Sequence, residues 1–221
     1  VPVWEHPFGN GEAQVWGSPT VKDDVKFVGN IGLQLTPSSK FYLFGNYAEK
    51  NVMGGFFFRN PNNRTGVYDN GSDIRLIADA GQAAGGARTC PSDIDATAYN
   101  LIGDALAVYE NDPNCFVFNQ VFPGGFTPSF GGDVTDWSIA SGVEGIYESG
   151  TSYDFSVHIG ESRSDFVIIN TLNPSLGPLS PTAFEPGSYI QLEKNFNADF
   201  VTVIPMDGYD LNFAYGFEWR E

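Results

Sequence analysis

From residue 209 to residue 220 every second side chain is apolar: Tyr209, Leu211, Phe213, Tyr215, Phe217 and Trp219 alternate with Asp210, Asn212, Ala214, Gly216 and Glu218. A period of two is the period of a strand, whose successive side chains leave on opposite faces. One face is mostly aromatic and the other polar or small, as expected of a strand that divides an apolar medium from a wet one. This stretch constrains the fold more than any other, because a helix of the same sequence would scatter the aromatics around its circumference.

Similar patterning recurs upstream. Phe196, Ala198 and Phe200 alternate with Asn195, Asn197 and Asp199, and Pro205-Met206-Asp207-Gly208 supplies a tight turn into the last strand, so the two form a hairpin. A second hairpin joins residues 138–147 to 153–163 through Glu148-Ser149-Gly150-Thr151, with Tyr153, Phe155, Val157 and Ile159 opposite Asp154, Ser156, His158 and Gly160. A third joins residues 26–35 to 41–50 through residues 36–40, with Phe27, Ile31, Leu33 and Leu35 opposed by Lys26, Asn30 and Gln34. Its return strand is ambiguous because Phe41, Tyr42, Leu43 and Phe44 are all apolar; Asn46 is assigned to the polar side. The expected fold is all-β, an antiparallel up-and-down meander of about six or seven strands, part of a transmembrane β-barrel.

The three tight turns fall on one side of such a meander, and the intervening connections, about residues 53–136 and 171–188, are long. Short turns at one rim and long extracellular loops at the other is the arrangement of outer-membrane barrels. The longer connection should carry structure of its own. Ser92 or Asp93 is placed to cap a short loop helix on which Ile94, Ala98, Leu101, Ile102, Ala105, Leu106 and Tyr109 follow helical spacing, with Pro113 ending it. Cys90 and Cys115 flank this helix in polar surroundings, with no second CxxC and no nearby His to point to zinc, so they are read as a disulfide in an oxidising compartment.

Twenty-seven acidic against 11 basic residues leave a formal charge of −16, which opposes binding to a phosphate backbone and excludes nucleic acid as the expected partner. No apolar run is long enough for a transmembrane helix, a criterion blind to strands. The chain starts at Val1 without a leader, which reads as a processed product or a fragment. No linker marks a second domain, and residues 1–221 are taken as part of a single barrel domain with no plug domain.

Residues 45–70 (GNYAEKNVMGGFFFRNPNNRTGVYDN) resemble the strand-to-loop passage of TonB-dependent outer-membrane receptors of proteobacteria, as do residues 118–145 (FNQVFPGGFTPSFGGDVTDWSIASGVEG) and 170–200 (NTLNPSLGPLSPTAFEPGSYIQLEKNFNADF). With AQVWGSP at residues 13–19 the resemblance spans nearly the whole chain in the expected order. It implies residence in the bacterial outer membrane, contact with its lipid, and binding and import of a scarce nutrient of siderophore, cobalamin or carbohydrate class. Energy would come from TonB through a plug. Neither plug nor TonB box is recognisable in residues 1–221, and the usual aromatic end of the family's barrel is not evident at Glu221, so the chain matches an internal section. The alternative is a secreted β-rich carbohydrate-binding or adhesion module.

Two aromatic, Gly/Pro-framed segments are the candidate ligand surface: Phe57, Arg59, Asn60 and Arg64 in the first, Phe122, Phe126 and Phe130 in the second. Flat rings beside hydrogen-bonding groups suit a sugar ring, an aromatic chelator or a similarly mixed ligand. The competing reading is that these rings pack the loops on one another or sit at the membrane interface. No GxSxG, HExxH, P-loop or dinucleotide fingerprint occurs, and scattered carboxylates alone give no catalytic constellation, so neither an enzyme nor a cofactor is expected. Asp69–Asp73 lacks a full calcium loop, and no metal site is assigned. His158 is expected to hydrogen-bond on the lumen face.

Overall fold

A computed structural model describes residues 19–221 apart from 63, 73 and 92–103. Six long strands form one antiparallel sheet: β1 (Thr20–Thr36), β2 (Ser39–Gly55), β5 (Ser129–Ile146), β6 (Ser152–Ile169), β7 (Ala183–Met206) and β8 (Tyr209–Arg220), neighbours in that order. Two short strands, β3 (Ala78–Asp79) and β4 (Cys115–Phe116), make a separate pair. Helices α1 (Ala80–Ala83) and α2 (Asp104–Glu110) lie between them in sequence. The all-β meander expected from the patterning is the observed fold. β1 and β8 are its edges, and the sheet does not close among the described residues.

The expected hairpins are present, with longer arms. β1 and β2 meet across the two-residue turn Pro37-Ser38, where the sequence pointed to a five-residue connection. β5 starts at Ser129 and β7 at Ala183, so the long connections shrink to residues 56–128 and 170–182. Two glycines hid these extensions. Gly132 has φ +144°, and a Cβ there would come within 1.8 Å of the Asp165 carbonyl oxygen; Gly187 has φ +124° just after Pro186. Glycine and proline weaken a strand pattern, yet at Gly132 the missing side chain is what lets the neighbouring backbone approach, while at Gly187 it is the positive φ that calls for glycine. The helix expected from residue 92 or 93 is described only in its last part, α2; its cap and first turns fall outside the described residues.

The chain divides into two compact units. One comprises Val21–Val52, Gly132–Phe166 and Gly187–Glu221, and the other includes Met53–Gly131 and Val167–Pro186. In the first, the faces sort by parity. Antiparallel pairing sets Phe196 against Trp219, Ala198 against Phe217, Phe200 against Tyr215 and Ile204 against Leu211, while Asn195 faces Arg220 and Asn197 faces Glu218 on the reverse side. Rings run across the apolar face, Tyr147 to Tyr153 (4.4 Å between centroids), Tyr153 to Phe155 (5.7 Å), Phe155 to Phe200 (5.5 Å) and Phe200 to Tyr215 (5.2 Å). Cross-strand aromatic pairs of this kind help fix register. On the polar face Tyr42 donates to Asp154 (2.8 Å) and Lys40 pairs with Glu144 (3.2 Å). Ser138 donates to Asn46, which therefore stands on the polar side. The ambiguous run at residues 41–44 resolves the same way: Tyr42 and Phe44 stack on the polar side (6.2 Å), leaving Phe41 and Leu43 on the other by strand parity.

This sheet unit has almost no interior. Its buried apolar residues among those described are Ala140 and Ala198, whereas Phe27 is 66 % and Phe217 60 % exposed. Among the described residues every larger buried apolar side chain belongs to the other unit, where they form two cores: Cys90, Leu106, Tyr109, Cys115 and Val117, and separately Tyr68, Phe118, Phe126 and Leu172. The expected Cys90–Cys115 disulfide is present, inside the first of these cores.

Candidate ligand site in the long connection

The candidate residues all lie in the second unit, and a network invisible to pattern reasoning organises them. Arg59 and Phe126 exchange backbone hydrogen bonds (2.7 and 3.2 Å) as an isolated antiparallel bridge, so the two candidate segments lie side by side. Gly125 makes this approach possible: its φ is +78°, and a Cβ would sit 2.4 Å from the Arg59 carbonyl oxygen. Asn60 opens a turn in which its Oδ1 accepts from the Asn62 amide (2.9 Å) and its carbonyl from the Arg64 amide (3.3 Å). The Arg64 carbonyl then accepts from the Val67 and Tyr68 amides (3.2 and 3.0 Å).

The middle of that turn is anchored from below. Pro61 and Asn62 are buried, and Arg75, only 3 % exposed, donates to the Pro61 carbonyl and to Asn62 Oδ1 (3.0 Å). Asn119 Nδ2 adds a bond to the same carbonyl (3.2 Å). Hydrogen bonds from a buried cation are among the stronger ones, so the turn is held in one shape. The sequence offered no sign that Arg75 and Asn119 would serve it.

The seven candidate residues separate by exposure. Phe126 is 4 % exposed in the core with Tyr68, Phe118 and Leu172, and Phe122 lies tilted against it at 4.6 Å, so these two rings pack the segment. Tyr68 completes the cluster by donating to the Phe122 carbonyl (3.0 Å), and burial pushes its phenol well above the usual pKa. Phe130 sits against Phe56 (5.9 Å). Phe57, 61 % exposed, and Arg64 are open to solvent, with Arg59 half-buried. Burial, followed by the positive charge of Arg64, lowers the pKa of the Arg59 guanidinium. Neither takes part in an ion pair among the described residues.

A second organising group is Asp79, which sequence reading passed over. Its buried carboxylate accepts from the Cys90 amide (2.8 Å), the Gln82 amide (3.0 Å) and the Thr89 amide (2.7 Å), capping α1 and tying it to the disulfide. These backbone donors hold its pKa well below the ordinary carboxylate range. An Asp before a short helix is a familiar cap signal, but the reach to residues 89 and 90 is tertiary.

Two grooves mark the polar face of the sheet unit. One, of about 500 Å³, is bordered by Lys40, Glu144, Asp154 and Asp199. The other, of about 290 Å³, is bordered by His158, Asn46, Asp136 and Glu193, which puts His158 on the polar side. No group of three or more His, Cys, Asp or Glu suited to a metal ion occurs among the described residues. Comparison of the chain with protein-family models, with curated proteins and with solved structures finds no match.

Proposed function

We propose that the chain is a section of an outer-membrane β-barrel, and more particularly of a TonB-dependent receptor that binds and imports a scarce nutrient of siderophore, cobalamin or carbohydrate class. The observation that carries this reading is the sheet without a core: six strands expose a continuous apolar face, and the buried apolar residues described within the unit are two alanines. In water a sheet needs at least one face covered by another layer. Lipid supplies that cover for a barrel wall, with the polar face turned to a wet lumen.

Dimensions agree. The outward row Tyr209 to Trp219 covers about 34 Å along the strand at about 3.4 Å per residue. At a tilt of about 40° that is about 26 Å of height, against an apolar band of about 25 Å in such barrels. The tight turns are neighbours: the Ser38 carbonyl accepts from the Ile146 amide (3.0 Å), and Thr151 shares a hydrogen bond with Thr202 (3.0 Å). Alternate connections of the meander are the long ones, as in barrels with long extracellular loops. The free edges of β1 and β8 leave ladder groups that a barrel would pair with further strands.

The test is to recover the flanking coding sequence and to examine the chain with and without detergent. A plug with a TonB box upstream, more strand patterns on either side and a requirement for detergent are expected. A monodisperse monomer in plain buffer, flanked by a signal peptide and a stop codon, would establish the secreted module instead.

A further inference from the structure

The two free edges of the sheet, β1 and β8, match each other. They stand at opposite ends of an antiparallel six-strand order and so run in opposite directions. In β1 a left-handed residue, Asp23 (φ +52°), precedes a regular run in which Val25, Phe27, Gly29, Ile31, Leu33 and Leu35 share one face, with Asp24, Lys26, Asn30 and Gln34 on the other. Laid antiparallel with Leu35 opposite Tyr209, the run Asp24–Leu35 meets the whole of β8, Tyr209–Arg220. Ile31 then faces Phe213, Phe27 faces Phe217 and Val25 faces Trp219, while on the polar side Lys26 faces Glu218 and Asp24 faces Arg220. The charges select this register. A slip of two residues sets Lys26 against Arg220 in one direction and Asp24 against Glu218 in the other, and like charges directly opposite are destabilising. A slip of one turns the aromatic row onto the polar face. The same register sets Tyr215 over Gly29, where a Cβ would meet nothing within 4 Å and where an apolar groove of about 290 Å³ opens between Phe27, Ile31, Leu43 and Ile139.

We infer that β1 is the docking edge for β8 of a second copy of the chain, in the register that sets Lys26 opposite Glu218, so that two six-stranded sheets close one twelve-stranded ring. A two-fold pair joins its four edges through two identical seams and leaves none open. A chain closing on itself would make a ring of six strands, fewer than the eight of the smallest outer-membrane barrels. At each seam the ladder groups of both edges find partners, and the Tyr215 ring covers the groove at Gly29, a cross-strand device that compensates for a glycine in a strand. Lys26 already pairs with Asp24 along β1, and Arg220 with Glu218 along β8, so the seam sets two exposed pairs side by side with alternating sign. The inference rests on the reading of the sheet as a barrel wall and names the partner of its edges. It concerns residues 1–221 as a chain: flanking strands of a longer receptor take the place of the second copy.

The test mixes full chains carrying Lys26→Cys with full chains carrying Glu218→Cys in zwitterionic detergent under mild oxidation. Opposed Cβ atoms in a ladder lie about 4.5–5.5 Å apart, close to disulfide reach, so the mixture should give a linked dimer that neither variant gives alone. Asn30→Cys in place of Lys26→Cys moves the thiol about 14 Å along the strand and should not link. Sedimentation equilibrium of the parent in density-matched detergent should show a dimer. Lys26→Glu and Glu218→Lys should each weaken it about tenfold over the two seams, and the two reversals combined in one chain should restore it. Both positions are exposed, so rescue by the double reversal separates a lost seam from a folding defect. Absence of the mixed dimer, equal linking through Asn30→Cys, or failure of the double reversal to rescue overturns the inference. A Lys26→Cys/Glu218→Cys chain that links within itself and stays monomeric shows self-closure and overturns it as well. A monomer in detergent overturns the pairing and leaves the barrel reading standing, whereas a monodisperse monomer in plain buffer overturns both.

Discussion

Phe213 is the position at which a lipid-facing sheet and a soluble one differ most in consequence. It is 53 % exposed, pairs with Thr202 across the ladder and lies 5.4 Å from the Tyr215 ring. Within the row Tyr209 to Trp219 it stands one residue from the centre. That is about 3.4 Å along the strand and about 2.6 Å in height at a tilt of about 40°. Phe213→Arg therefore sets a guanidinium close to the bilayer midplane, where the cost in barrel proteins is about 2–4 kcal/mol. This corresponds to a factor of about 30 to several hundred in the folding equilibrium. Asn212 is the adjacent residue on the polar face, opposite Val203, and Asn212→Arg should stay within about 0.5 kcal/mol. Urea titration of both variants reconstituted in phospholipid vesicles, followed by heat-modifiable gel mobility, reads the difference. Equal damage from the two substitutions, or none from Phe213→Arg, would refute the parity argument and point to a sheet with both faces in one medium.

Three further outcomes concern the second unit. Gly125→Ala forces a side chain onto the Arg59 carbonyl at positive φ and should cost more than about 1 kcal/mol, read as faster protease nicking in residues 56–64. Replacing Cys90 and Cys115 together by serine frees a loop of 25 residues, worth about 3.5 kcal/mol in the chain-entropy model. Amide exchange should rise across residues 78–117 with no change in β8. Asp79 has a lowered pKa in the folded chain, so its contribution is complete above the unfolded carboxylate value of about 3.9 and is lost as pH falls below it. Protection of the Thr89 and Cys90 amides should fall away in that acid range, and Asp79→Asn should show the loss already at pH 7.

Strands with clean alternation were legible from the residues alone. β8 begins and ends where its pattern does, and its parity matches the observed pairing, because one face repeats an aromatic and the other never does. Strand length was less legible where a sheet needs small residues: Gly132 and Gly187 resemble loop punctuation in the sequence and are backbone contacts or bends in the fold. The disulfide followed from having only two cysteines in suitable surroundings. The candidate site was half visible. Residue type marked Phe57, Arg59 and Arg64 in the same way as Phe122 and Phe126, and only the fold shows that the last two pack the segment while Phe57 and Arg64 are exposed. Nothing local in the sequence pairs Arg75 with Pro61, or Asp79 with Cys90, since those contacts join segments that only the tertiary fold brings together.

The claim that one face of the sheet meets lipid is tested most directly by asking which solvent a fluorophore sees on each face. Replacing the natural tryptophans by phenylalanine and placing a single tryptophan at Tyr215 or at Ala214 gives two probes one residue apart, on opposite faces of β8. In vesicles of lipid brominated deep in the acyl chain, the tryptophan of Tyr215→Trp should be quenched by bromine and ignore aqueous acrylamide. That of Ala214→Trp should do the reverse. Equal quenching of the two by acrylamide, with none by brominated lipid, would contradict the account.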